Sequence, residues 1–146
     1  MKHTVQGHLY TDIVLEIFKL SGQLVAEGDK MTAEYGLSSA RWKILGALTY
    51  AETALTVPQI ARTMGQTRQT VQRLVTIMHE DGLLDLLNNP DHKRAKLVTL
   101  SDKGKAYYAM LEKKQIIWAN QHSNDLSQEE LEITLATLNK ISYFFE

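Results

Sequence analysis

The sequence predicts a mainly α-helical protein with a small β-wing: a winged helix-turn-helix domain flanked by long N- and C-terminal helices. Three observations predict it. Two short amphipathic segments lie back to back between Thr56 and Glu80, a basic hairpin follows at once, and long stretches of helical apolar periodicity stand on both sides.

The first long segment, Leu9 to Glu34, carries Ile13, Val14, Ile17, Phe18, Leu24 and Val25 at helical spacing. Ser38 caps the next helix, with Leu37 and Trp42 as its hydrophobic staple. Thr56-x-x-Gln59 is a capping box: hydroxyl and amide each satisfy a backbone donor that the first helical turn leaves orphaned, and Leu55 and Ile60 are placed to staple it. Val57, Ile60, Ala61 and Met64 mark the apolar face of that helix. Gly65 stops it where a positive φ is needed, and Thr67 caps its successor, whose apolar residues Val71, Leu74, Val75 and Met78 recur at i, i+3, i+4 and i+7. Strands are expected from Leu83 to Asn89 and from Ala95 to Leu100, separated by the turn residues Asn88-Asn89-Pro90-Asp91. Ser101 then caps a long helix containing Tyr107, Met110, Leu111, Ile117 and Trp118. Leu126-Ser127-Gln128-Glu129-Glu130-Leu131, both capping box and staple, launches a final helix with Leu131, Leu135, Leu138, Ile141 and Phe145. With two prolines, no repeat and no low-complexity linker, residues 1–146 read as a single domain. Its winged helix spans about 37–100, and its dimerisation helices about 9–35 and 101–146.

Opposite the apolar stripe of the second short helix lie Gln69, Gln72, Arg73 and Thr76. Arg can fork onto guanine and Gln onto adenine in a major groove wide enough to admit a helix, so Gln69, Gln72 and Arg73 are candidates for base contact. Thr67, Arg68 and Thr70, nearer the helix start, suit phosphate or mixed contacts, where the helix dipole assists. Lys93 and Arg94 sit at or just after the hairpin tip, from which a cation can reach the minor groove or clamp phosphate. The net charge of −1 does not by itself favour nucleic acid, but its distribution does. Between Thr56 and Lys105, Arg62, Arg68, Arg73, Lys93, Arg94, Lys96, Lys103 and Lys105 outnumber Glu80, Asp81, Asp85, Asp91 and Asp102, so the remaining chain is acidic. The broad apolar faces of the terminal helices exceed what so small a DNA-reading unit can cover. Association into a two-fold homodimer would bury them and would let one short helix read a palindromic operator on double-stranded DNA.

The wing carries a family resemblance. Asn89-Pro90-Asp91-His92-Lys93-Arg94-Ala95-Lys96-Leu97-Val98-Thr99-Leu100-Ser101, with Gly104 beyond, resembles the MarR family of bacterial transcription regulators, whose wing reads approximately Asp-Pro-x-Asp-Arg-Arg-Ala-Lys-x-Val-x-Leu-Thr. Leu37-Ser38-x-x-x-Trp42 and Leu45 are similar to the start of the family's second helix. His92 stands where the family has an aspartate that pairs with and orients the arginine matching Arg94, which leaves the adjacent Asp91 as candidate for that task. The resemblance implies a homodimer joined through the first and last two helices, with Ile13, Ile17, Leu135, Leu138, Ile141 and Phe145 as candidate interface residues. It implies DNA contact by the wing; His92, which departs from the family, is a candidate DNA contact on its own chemistry, because an imidazole near phosphate can carry charge close to neutral pH. It also implies a crevice for a small aromatic or amphipathic effector, for which Trp42, Tyr107 and Met110 are candidates, and repression by occupancy of the operator.

Other classes are disfavoured. No cysteine is present, so disulfides, thiolate metal sites and thiol redox sensing are excluded. His3, His8, His79, His92 and His122 show no known zinc spacing, so no metal and no cofactor is expected. There is no Gly-x-Ser-x-Gly, no phosphate-cradling glycine loop and no dinucleotide fingerprint, which argues against an enzyme. No run is apolar enough to span a membrane, and the first residues lack the apolar core of a signal peptide; a cytoplasmic protein without membrane contact is expected. The alternative function is a winged-helix module for protein contacts that has no DNA affinity.

Overall fold

A computed structural model describes residues Met1–Glu146. Its elements follow in the order α1 (Val5–Thr32), a 3₁₀ turn (Ala33–Tyr35), α2 (Ser39–Tyr50), α3 (Val57–Met64), α4 (Arg68–Glu80), β1 (Leu84–Leu87), β2 (Leu97–Leu100), α5 (Asp102–His122) and α6 (Gln128–Tyr143). The chain forms two compact units, residues 1–111 and residues 112–146. No helix is long and apolar enough to cross a membrane.

In the first unit, helix boundaries follow local hydrogen-bond chemistry. Thr4 caps α1 by accepting from the Gly7 amide, so the helix begins four residues before the apolar periodicity does. At its other end the buried Thr32 hydroxyl donates back to the Gly28 carbonyl, and Gly36 turns the chain with φ 66°. The start of α2 is tied to α1: the Ser39 amide donates to Asp29 Oδ1 at 2.8 Å and the Ser39 hydroxyl to the Val25 carbonyl at 2.7 Å. Glycine is required at position 28 for this approach, because a Cβ there would collide with the Ser39 hydroxyl. The Thr56–Gln59 capping box forms in both directions, Gly65 ends α3 with φ 65°, and Thr67 caps α4.

The core gathers Ile44, Leu45 and Leu48 from α2, Ile60 and Ala61 from α3, and Val71, Leu74, Val75 and Met78 from α4. Leu83, Leu84, Val98 and Leu100 of the wing and Tyr108 of α5 close it. The wing is an antiparallel pair in the register Leu84 to Leu100 and Leu87 to Leu97. Both strands are shorter than the sequence predicts, because Asn89 accepts from the Asp91 and His92 amides and the Ala95 amide donates to His92, turn bonds in place of ladder bonds. A bridge between Leu55 and Val98, with backbone bonds of 3.0 and 2.7 Å, pins the wing root to the segment before α3. Ser101 starts α5 by accepting from the Gly104 amide.

In the second unit, the Ser127–Glu130 capping box launches α6. The Trp118 and His122 rings stack with centroids 4.5 Å apart. No residue of α6 is buried. Phe145, read from the sequence as part of the final helix, lies beyond it: the helix ends at Tyr143, and the amides of Phe144, Phe145 and Glu146 bond three residues back in a tightened turn. At a free helix end such bonds satisfy carbonyls that the α-helical pattern leaves orphaned.

Candidate nucleic-acid interface

α4 presents its polar face because its apolar stripe is consumed by the core. Val71 and Met78 are fully buried, while Arg68, Gln69, Gln72, Arg73 and Thr76 are exposed. The cap fixes the helix start and uses one hydroxyl to do so: Thr67 Oγ1 accepts from the Thr70 amide at 3.2 Å and donates to Thr70 Oγ1 at 2.9 Å. Thr67 is thereby committed to the cap, and the Thr70 hydroxyl proton is left to point elsewhere. Gln72 and Thr76 bond to each other one turn on, with Gln72 Nε2 donating to Thr76 Oγ1 at 3.3 Å. Arg68, Gln69 and Arg73 make no such side-chain bond.

Between α4 and the wing runs an open cleft of about 730 Å³. Arg68, Gln69, Gln72 and Arg73 line it from α4, Val57 and Pro58 from α3, and Leu86, Arg94, Ala95, Lys96 and Val98 from the wing. Four cations and two amides thus border an apolar floor, and no carboxylate is among the lining residues. A groove of one charge sign with low-dielectric walls concentrates its field outward, which suits a polyanion. The structure therefore brings together Arg68, Gln69, Gln72, Arg73 and Arg94. It does not place Thr67, Thr70, His92 or Lys93 in the cleft wall: the two threonines lie at the start of α4, and His92 and Lys93 lie on the exposed wing loop. Lys96 joins the wall although sequence reading counted it only toward the charge of the hairpin. Its membership follows from where the chain leaves the wing loop to enter β2, a property that the basic run Lys93-Arg94-Ala95-Lys96 does not reveal.

The wing loop is organised by two side chains. Asn89 Oδ1 accepts from the Asp91 amide at 3.0 Å, and His92 Nδ1 accepts from the Ala95 amide at 3.2 Å. Asp91 makes no ion pair with Arg94, so the orienting task expected of it is not performed by direct charge pairing. Trp42 and Tyr107 are half-buried against the core, and Tyr107 also meets the Tyr35 ring at 5.9 Å. Met110 is exposed. Among the candidate interface residues, Ile13, Ile17, Leu135, Leu138 and Phe145 are exposed and Ile141 is half-buried.

Comparison with known proteins gives the same picture. The family model described as the MarR family matches residues 35–95, which takes in α2, α3, α4 and the hairpin as far as Ala95. An uncharacterised protein of Mycobacterium tuberculosis is 33% identical over 129 residues, covering 88% of this chain and 89% of the relative. The HTH-type transcriptional regulator TcaR of Staphylococcus aureus is 31% identical over 114 residues, covering 75% of this chain and 73% of the relative. Among solved structures, the Staphylococcus aureus MepR–DNA complex superposes with a TM-score of 0.78 at 19% identity, covering 89% of this chain and 94% of that one. CouR of Rhodococcus jostii RHA1 bound to p-coumaroyl-CoA superposes with a TM-score of 0.80 at 18% identity, covering 92% and 94%. These neighbours share the fold. With a matching family model over the winged helix and a regulator more than 30% identical across most of both chains, the chain belongs to the MarR family of transcription regulators.

Proposed function

We propose that this protein is a homodimeric, sequence-specific DNA-binding repressor that occupies a palindromic operator and competes there with polymerase. The observation that carries the reading is the carboxylate-free cleft in which Arg68, Arg73, Arg94 and Lys96 surround Gln69 and Gln72. In this reading Gln69, Gln72 and Arg73 meet base edges in the major groove. Thr67, Arg68 and Thr70 meet phosphate at the start of α4, with the Thr67 contribution confined to its backbone because its hydroxyl is engaged in the cap. Lys93, Arg94 and the His92 loop engage the neighbouring backbone or minor groove. That MepR has been solved as a DNA complex on the same fold supports the assignment.

Two copies are needed for a palindrome. The apolar residues Ile13, Ile17, Leu135, Leu138, Ile141 and Phe145 supply the interface; all but the half-buried Ile141 are exposed in the single chain, which supports their cover by a partner. The whole chain then acts as one functional domain, with its winged helix at about 37–100 between dimerisation helices. A small aromatic or amphipathic effector binds beside Trp42, Tyr107 and Met110 and shifts DNA affinity; p-coumaroyl-CoA on CouR is a ligand of that character on the same fold.

Selection of bound fragments from random DNA at physiological salt tests the function. The expected outcome is enrichment of a two-fold symmetric site with half-site centres about 34 to 36 Å apart, bound with an affinity that falls steeply as salt is added. A chain that ignores DNA at every salt concentration overturns the reading in favour of a protein-contact module.

A further inference from the structure

We propose that His92 is the positioning residue of the wing: its neutral imidazole closes the loop that presents Lys93 and Arg94, and does so only while Nδ1 carries no proton. The inference rests on the DNA-binding reading above and assigns a part of that site which charge alone does not explain.

Besides the Asn89–Asp91 turn, His92 holds the loop at two points. The Asn89 carbonyl accepts from the His92 amide at 3.3 Å, and His92 Nδ1 accepts from the Ala95 amide at 3.2 Å. His92 is therefore anchored backward by its backbone and forward by its ring. The backbones of Lys93 and Arg94 lie inside the small ring that the second bond closes, and Ala95, its donor, belongs to the cleft wall together with Arg94 and Lys96. The bond thus ties the exposed tip to the cleft.

Its chemistry is conditional. A neutral imidazole has one donor and one acceptor nitrogen, so acceptance at Nδ1 places the proton on Nε2; a protonated imidazole has two donors and accepts nothing. Protonation would set the Nδ1 proton against the Ala95 amide proton and open the turn. Histidine changes charge between pH 5 and 8 more readily than any other ordinary side chain. The charged residues beside it in the chain are Asp91, Lys93 and Arg94 on the loop and Lys96 before β2. None of them forms an ion pair with the ring. A protonated ring would also add one positive charge near phosphate, so the positioning role and a simple electrostatic role predict opposite pH dependences.

Two substitutions separate them. His92→Asn puts an amide oxygen at the place of Nδ1 and does not titrate, whereas His92→Gln carries its amide one bond further out. On the selected operator at pH 8, His92→Asn is expected to bind within about twofold of wild type and His92→Gln about two- to tenfold more weakly per wing, the worth of one modest hydrogen bond. Between pH 8 and pH 5.5 the wild type should weaken relative to His92→Asn. In the free protein, hydrogen exchange at the Ala95 amide should be slow in wild type and His92→Asn and fast in His92→Gln. Equal binding by His92→Asn and His92→Gln overturns the proposal. So does a wild type that gains on His92→Asn as pH falls, which would make His92 a phosphate contact. If no variant binds DNA, the function reading fails instead, and Ala95 exchange decides the wing bond without it.

Discussion

The winged helix and the terminal helices use the same residue types to opposite ends. In α2, α3 and α4, Ile44, Ile60 and Met78 are each 0% exposed, sealed within the chain that carries them. In α1 and α6, Phe18 is 72% and Leu135 61% exposed, and no α6 residue is buried. Apolar side chains are left in water singly on every protein surface, but runs of them at helical spacing mark surfaces meant for a partner. The contrast separates two kinds of stability. One region owes its order to its own core, and the other has apolar surface still to bury.

The largest effect should come from charging the uncovered surface. Leu135→Asp combined with Leu138→Asp would set carboxylates into the proposed dimer interface, where an unpaired charge costs several kcal/mol. Sedimentation is expected to give a monomer that retains its helical circular dichroism but no longer holds the operator. A dimer that binds DNA normally with both aspartates in place would remove α6 from the interface and end the contrast drawn here.

Core truncation should act differently. Ile60→Ala and Met78→Ala remove side chains that are fully enclosed, so each is expected to cost about 2 to 5 kcal/mol of unfolding free energy, lost packing plus the cavity left behind. Urea denaturation at several protein concentrations checks this. The shift should be the same at each concentration, because the damage lies inside one chain. A shift that disappears at high concentration would place these residues at an interface.

Legibility in the sequence follows the same division. The capping boxes at Thr56–Gln59 and Ser127–Glu130, the stop at Gly65 and the cap at Thr67 are written within four residues of chain, and all form as read. The stripe of α4, and with it the exposed set Gln69, Gln72 and Arg73, follows from periodicity alone. What the sequence does not display is set by distant partners or by small local bonds. The tie of Asp29 and Ser39 between α1 and α2, the Leu55–Val98 bridge and the place of Lys96 in the cleft all join residues far apart in the chain. The start of α1 at Val5 depends on Thr4, which has no apolar periodicity beside it. His92 is the most instructive case. Its departure from the family aspartate is visible in the sequence, but the acceptance by Nδ1 from the Ala95 amide becomes apparent only with the loop geometry.

The smallest effects should divide the cleft into residues that read sequence and residues that only hold phosphate. Arg73 and Gln69 sit on the exposed face of α4 with no intramolecular partner, free to match a base edge. Arg73→Ala and Gln69→Ala are each expected to lose about 1 to 3 kcal/mol against the preferred base at one position of each half-site, with little change on unrelated DNA. Arg94 faces the same cleft from the wing, yet it has no rigid helix behind it, and its loop is held by single hydrogen bonds. A cation presented in this way contributes field and counterion release more than geometry. Arg94→Ala should therefore weaken binding to all sequences alike and lower the magnitude of the salt slope by about 1 per half-site. Competition binding against operator variants, repeated across salt concentrations, tests both halves of the division. Loss of base preference on removing Arg94, or an altered salt slope without altered preference on removing Arg73, would reverse the roles of helix and wing.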